Sequence, residues 1–312
     1  MSIYAGSLQV GNALGFIFGE VVSAALGWRW PYILEAIFTS FLAVLLLSAE
    51  KDPRLIQKHR PEGELEGGTV NSWSQQMCQL LRNSTYVWLC LGQAAFMFTA
   101  GAVAFWGTDF QVDHFGVSPL VAALVLGGIA VFAGLVATLL GSILADRLLK
   151  PTQKAFEKGE VSETALLARR TQIPCRMLTI AAISGACFGT GGAIANQYIV
   201  WVVTLAASVF SIALTNGPIN LALLSCVRPE LRGQAMAVQT FFYHLLGDFP
   251  SPYLVGWINQ GLGMYWGYLI TEAWLFLAAL AWGVAWHRAS RVFILVSLEE
   301  KLTKKSDSES II

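Results

Sequence analysis

Charge is scarce in this chain. Lys, Arg, Asp and Glu together make up 13% of its 312 residues, about half the share of an ordinary soluble domain. The formal net charge is zero, which by itself says little about partners; no nucleic-acid partner is expected. Cysteine is nearly as sparse. Cys78, Cys90, Cys175, Cys187 and Cys226 form no CxxC pair, which argues against a zinc site or a disulfide framework and reads as small apolar filling. No HExxH or GxSxG sequence and no metal-spaced His and Cys cluster is present. The metal and nucleophile chemistries that need those patterns are therefore not expected, and neither is an enzyme or a cofactor. "GTGG" at Gly189 to Gly192 lacks the Lys-Ser or Lys-Thr of a phosphate loop and reads as a turn near the outer ends of two helices. No charged leader precedes a cleavable apolar region, so no signal peptide is read at Met1.

Apolar residues, by contrast, make up 55% of the chain. A hydrocarbon core about 30 Å thick needs roughly 20 apolar residues per helix. Eight runs meet that need: Ser2 to Leu26, Trp30 to Ser48, Thr85 to Gly107, Pro119 to Ala145, Met177 to Ala195, Tyr198 to Val227, Gly233 to Ile258 and Tyr265 to His287. The expected fold is an all-α polytopic membrane helix bundle with eight transmembrane helices. Lys and Arg collect on the cytoplasmic side of such bundles. Here all twenty basic residues except Arg29 fall between runs two and three, four and five, or six and seven, or after run eight. Both termini are thus expected to be cytoplasmic, and the sequon Asn83-Ser84-Thr85 is expected to stay unmodified.

The expected organisation is two helices in residues 1–48, a cytoplasmic linker in 49–84, a six-helix unit in 85–287 and a cytoplasmic tail in 288–312, whose polar end from Lys301 reads as disordered. Lys51 to Asn83 and Lys150 to Thr171 read as loops carrying short surface helices at Trp73 to Leu81 and Ser162 to Arg170. Runs one and two weakly repeat runs seven and eight, through Leu14-Gly15 with Leu246-Gly247 and Glu35-Ala36 with Glu272-Ala273. Such repeats are common in transporters. They make runs one and two the last third of a preceding copy whose first four helices are absent from this sequence, as in a fragment. Gly11, Gly15 and Gly19 keep GxxxG spacing and read as a packing stripe. Trp28, Trp30 and Trp266 suit interfacial belts.

Several polar groups interrupt the apolar runs. Thr240, His244 and Asp248 share one face of run seven at i, i+4 spacing, with Ser251 and Pro252 near the same face. An ionisable group at mid-bilayer costs about 2.5 to 3.5 kcal/mol on insertion scales, so this stripe is expected to face protein or water. Two readings stay open. His244 titrates near neutrality and handles a proton with Asp248, or Asp248 caps backbone freed by Pro250 and Pro252 while His244 only hydrogen-bonds. In run six, Thr215, Asn216 and Asn220 flank a Gly217-Pro218 bend. With Gln93, Gln239, Tyr243 and His244 they are candidates for a substrate path. Phe96, Met97, Phe98, Phe241 and Phe242 suit an apolar cavity or an ordinary core equally well. Asp146, Arg147, His244, Asp248 and Glu272 are candidates for gating or proton handling.

"GSILADRLLK", Gly141 to Lys150, resembles the Gly-x-x-x-Asp-Arg loop signature of the major facilitator superfamily. "RPELRGQAMAVQ", Arg228 to Gln239, resembles the opening of the fifth helix of one of its halves. Within run seven, His244, Leu245, Leu246, Gly247, Asp248, Ser251, Pro252, Tyr253, Leu254 and Gly256 match a pattern of the spinster family of lipid transporters. "LLRNSTYVWLCLGQAAFMFTAGAVAFW" resembles that family's seventh helix, and "VGNALGFIFGEVVSAALGWRWPYIL" its fifth and the entry to its sixth. Glu35 departs from the family, which often carries Arg there. The resemblance implies a major facilitator bundle matching the last eight of twelve helices. It also implies movement of a lysophospholipid or sphingosine phosphate by alternating access, protons as a coupling ion, membrane lipids as partners, and a lysosomal or plasma-membrane location. Two alternatives stay open: a porter for another small organic anion, and a truncated, non-transporting membrane partner or regulator.

Overall fold

The structure, a computed structural model, describes residues 25–49 and 73–309 together with residues 11, 15, 18, 19, 22 and 23. The chain divides into two compact units, residues 11–77 and 78–312, each described here by itself.

In the first unit, helix α1 (Trp30–Ala49) is apolar throughout and largely exposed. It follows a turn at Gly27, whose φ of 93° suits a residue without Cβ and whose N–H donates to the Ser23 carbonyl at 2.9 Å. Arg29 lies over the Trp28 ring at 5.2 Å. Glu35 is exposed. The three glycines of the expected GxxxG stripe are described, and a Cβ at Gly11, Gly15 or Gly19 would meet nothing within 4 Å.

Helix α2 (Trp73–Arg82) leads into the second unit. It is followed by α3 (Ser84–Phe115), α4 (Pro119–Glu157), α5 (Glu163–Ala193), α6 (Tyr198–Ala213) and α7 (Asn216–Cys226). A 3₁₀ turn at Pro229–Leu231 precedes α8 (Arg232–Tyr243), and a π turn at His244–Asp248 joins α8 to α9 (Ser251–Leu262). Helices α10 (Met264–Ala273) and α11 (Leu275–Glu309) complete it. No strand occurs among the described residues. Among the described residues five segments are long and apolar enough to cross a bilayer: α3, α4, α5, α6 with α7, and α10 with α11 through Glu300.

The helix starts follow from their caps. Ser118 accepts from the Val121 N–H with Pro119 in the first turn, and Ser162 accepts from the Ala165 N–H. Asn83 serves two helices at once. Its side-chain oxygen accepts from the Tyr86 N–H at 3.2 Å, and its amide nitrogen donates to the Cys226 carbonyl at 2.6 Å. An amide so engaged is a poor glycan acceptor in the folded chain. Asn83→Ala should cost about 1–2 kcal/mol, read as a lower thermal midpoint in detergent. Asn83→Asp, which keeps the cap acceptor, should cost less.

Three boundaries differ from expectation. Helix α4 continues through Pro151 to Glu157, and α5 starts at Glu163, so the expected loop from Lys150 to Thr171 is mostly helix around a short turn. The polar tail expected to be disordered is helical through Glu309 as the end of α11. "GTGG" is the last stretch of α5, not a turn. Gly189 and Gly192 there admit Glu272 and Thr204, against which any Cβ would collide.

The main core joins α3, α5, α7, α8 and α11 around Leu89, Leu178, Leu223, Leu275 and Trp282. A second cluster gathers Phe110, Trp201, Leu205 and Tyr268. Gly263 has the same φ of 93° as Gly27, and its N–H donates to the Asn259 carbonyl at 3.0 Å. The dipeptides Leu26-Gly27 and Leu262-Gly263 thus make the same helix-ending turn. They set a register that pairs Trp30 with Trp266 and Tyr32 with Tyr268, one residue away from the register given by Glu35-Ala36.

Candidate functional site

The interrupted helix α8–α9 carries the densest set of sequence-predicted residues. Its break has a physical cause. Phe249 N–H reaches back five residues to the His244 carbonyl at 3.1 Å, which is a π turn. Pro250 and Pro252 have no N–H to continue the α ladder. The Asp248 carbonyl, which would have accepted from residue 252, takes the Ser251 hydroxyl instead at 3.1 Å. The Pro252 carbonyl accepts from the Trp106 indole at 2.9 Å.

This segment lies close against α3. A Cβ at Gly101 would stand 2.8 Å from Asp248 Cα, and one at Gly247 would stand 2.8 Å from the Ala94 carbonyl oxygen. Leu231, Ala235, Gln239, Gly247, Ser251 and Val255 form the buried face, tied to α3 by the Tyr86 hydroxyl donating to the Ala235 carbonyl at 2.8 Å. Thr240 and His244 therefore point away from the interior of their own unit, while Asp248 lies part-buried at the edge of the contact with α3. Thr240 is exposed and the His244 side chain is 55% exposed.

His244 Nδ1 and Asp248 Oδ2 are 2.8 Å apart, and Tyr243 leans on the His244 ring at 4.3 Å. The other carboxylate oxygen, Asp248 Oδ1, is buried without a hydrogen-bond partner. Of the carbonyls freed by the prolines, that of Asp248 is thus served by the Ser251 hydroxyl.

The remaining candidates fall into separate groups. Gln93 and Gln239 are both buried, and Gln93 Oε1 is unpartnered. Thr215, Asn216 and Asn220 lie where α6 meets α7. The Asn216 amide donates to Thr138 Oγ at 2.9 Å, Asn220 to the Asn216 carbonyl at 3.1 Å, and Thr215 to the Ile212 carbonyl at 2.6 Å. Their donors join helices α4, α6 and α7. Asp146 and Arg147 are exposed and make no ion pair with a described residue. Asp146 instead borders a cleft of about 530 Å³ with Lys150, Lys154, Glu157 and Arg170.

Of the aromatic candidates, Phe98 is buried and stacked on Trp274 at 4.6 Å, Phe96 packs beside Trp282, and Phe241 is exposed. Phe98 and Phe96 thus serve as core.

Glu272 stands apart, fully buried in α10 beneath Gly189. Around it lie Tyr268, Trp201 and Ser208, which the sequence reading did not connect to it. One signal was available: Tyr268 and Glu272 repeat the i, i+4 spacing of His244 and Asp248.

An all-helical chain with membrane-length apolar segments, polar groups inside its helices and internal repetition defines a multi-pass membrane protein of the transporter class. The sequence model of the Major Facilitator Superfamily matches residues 1–249, and the chain belongs to that superfamily. Its class is not an enzyme class. Among curated relatives, "Probable sphingolipid transporter spinster homolog 1" of Arabidopsis thaliana is 26% identical over 303 residues, covering 89% of this chain and 57% of the relative. "Protein spinster homolog 3" of Danio rerio is 30% identical over 279 residues, covering 83% and 50%. "Sphingosine-1-phosphate transporter SPNS2" of Danio rerio is 27% identical over 294 residues, covering 89% and 54%. The chain spans about half the length of these relatives. The crystal structure of a bacterial homolog to the human lysosomal transporter Spinster, inward-facing and unoccupied, aligns with a TM-score of 0.57 at 15% identity. It covers 95% of this chain and 69% of that one, and the likeness supports the fold.

Proposed function

We propose that this chain belongs to a spinster-type transporter that moves a lysophospholipid or sphingosine phosphate by alternating access. In this reading residues 85–287 form the C-terminal six-helix half, residues 1–48 the end of the preceding half, and both termini are cytoplasmic. The observation that carries it is the surface of α8–α9. There the His244–Asp248 pair is set among exposed apolar side chains: Phe241 at 61%, Phe249 at 80%, Tyr253 at 78% and Trp257 at 70%. A hydrogen-bonding polar spot within an apolar surface suits an amphiphile, a polar headgroup on an apolar chain, better than a compact hydrophilic anion. The spinster relatives support the same substrate class, and a lysosomal or plasma-membrane location goes with it.

Ligand that binds only the folded state raises the thermal midpoint, by about 2.7 kcal/mol of added stability at a hundredfold excess over Kd. Lysophospholipid or sphingosine phosphate should therefore stabilise the purified protein, and a short-chain organic anion should not. The reverse order would overturn the lipid assignment. If the pair carries the coupling proton, His244→Gln should flatten the pH dependence of transport. An unchanged profile would leave the pair a purely positional role.

A further inference from the structure

We propose that Glu272, with Tyr268 and Trp201, forms an internal proton-binding site of the C-terminal helical unit, apart from the His244–Asp248 pair. All three side chains are buried to within 2%. Glu272 Oε1, Tyr268 OH and Trp201 Nε1 are each shut away from solvent without a hydrogen-bond partner. The Tyr268 hydroxyl neighbours both the Glu272 carboxyl and the Trp201 indole N–H, and the Tyr268 and Trp201 rings are 6.0 Å apart. Buried polar atoms are nearly always paired, and three orphans converging at one place require an account.

The neighbours exclude ionic compensation. Helix α5 presents Gly189 to the carboxyl and α6 presents Ser208, whose hydroxyl donates to the Gly185 carbonyl at 2.9 Å. From α3, Thr99 donates to the Thr271 carbonyl, and Phe110 stacks on Tyr268 at 3.9 Å. Helix α9 contributes the Asn259 amide against Gly267. His114 is the titratable residue of α3 in this aromatic cluster. It stacks on Phe110 at 5.1 Å and lies 5.6 Å from Tyr265, in contact with those rings and not with the carboxyl. Tyr198, whose hydroxyl donates to Gln111 Oε1 at 2.9 Å, is likewise engaged elsewhere. No described Lys, Arg or His lies within 4 Å of the Glu272 oxygens.

An ionised carboxylate in such a place is far more costly than a neutral one. A carboxylic acid O–H, by contrast, is a donor that the Tyr268 oxygen can accept. Release moves that proton to water and leaves a carboxylate, to which the Tyr268 hydroxyl can then donate while its oxygen accepts from the Trp201 N–H. The site thus holds hydrogen-bonding groups for both of its states. A metal cation fits less well, because the indole N–H is a donor and only a few oxygens converge.

Helix α10 packs against α3, α5 and α9, and any side chain at position 189 would evict the carboxyl. Loading and release of this proton therefore act on the seating of α10. Its role as a coupling ion rests on the transporter reading; the site itself does not.

The test is infrared difference spectroscopy of the purified full chain in liposomes across pH, reading the carbonyl stretch of a protonated carboxyl. One such band per chain should be present at neutral pH. It should be lost in Glu272→Gln and shifted in the volume-preserving Tyr268→Phe. A band intensity unchanged in Glu272→Gln, or a band abolished by sodium at constant pH, would overturn the proposal. Labelled lysolipid movement is measured on the same liposomes. Band present without lipid movement supports the proton site and tells against the transport reading, so the two failures are distinguishable.

Discussion

Trp282→Ala should destabilise the C-terminal helical unit by about 3–5 kcal/mol, the largest loss expected from any single truncation in the main core. Trp282 is wholly buried at the centre of that core. Its indole N–H donates to the Leu89 carbonyl at 3.2 Å, and Gly92 on the same helix leaves room for the ring, which any Cβ would strike. Phe96 lies beside it at 6.4 Å between ring centroids. Truncation removes the packing between α11 and α3 together with a hydrogen bond in a low-dielectric setting. Trp282→Phe, which keeps much of the volume, should lose clearly less. Thermal or steric-trap unfolding in detergent measures both variants. Equal losses would show that ring volume is not the term that matters.

Gly141→Leu should be the next most damaging, by about 1–3 kcal/mol. Gly141 opens the stretch that carries Asp146 and Arg147, but its own role is steric. A Cβ there would collide with the Leu214 carbonyl oxygen, a backbone atom that cannot rotate aside. One turn of contacts then follows. Ser142 lies against Gly217, Thr138 Oγ donates to the Ala213 carbonyl at 3.3 Å, and Asn216 donates to Thr138. Wedging α4 away from the α6–α7 joint would break them together. Gly127, on the same helix, is the control, because a Cβ there meets nothing within 4 Å. Gly127→Ala should be neutral or slightly stabilising, since Ala favours the helix by about 1 kcal/mol. Similar losses for the two variants would refute the close-approach argument.

These two sites also mark what could and could not be read from residue order. The all-helical membrane class was legible, because apolar run length and the distribution of Lys and Arg are properties of the chain alone. The starts of α4 and α5 were signalled by Ser118-Pro119 and Ser162. Their far limits were not, since helix outside the bilayer needs no apolar run. The polar end of α3, with Asp109, Asp113 and His114, and the basic continuation of α4 past Lys150 both show this.

The His244–Asp248 contact followed from i, i+4 spacing. The direction it faces did not, because a π turn and the small residues Gly247 and Ser251 decide which side packs against α3. The Glu272 cluster was hidden for another reason. Trp201, Ser208 and Gly189 are remote from Glu272 in sequence, and only tertiary packing assembles them. The same applies to glycine: the conspicuous repeat at Gly11, Gly15 and Gly19 meets no described neighbour, while Gly92, Gly101 and Gly141, which stand in no such repeat, are among the points of close approach.

The most direct test of the account is the movement of labelled sphingosine phosphate or lysophospholipid across liposomes holding the purified protein. The account predicts protein-dependent movement that saturates with substrate and is competed by unlabelled lysolipid. Movement indistinguishable from protein-free liposomes, or competed equally by a short organic anion, would contradict it.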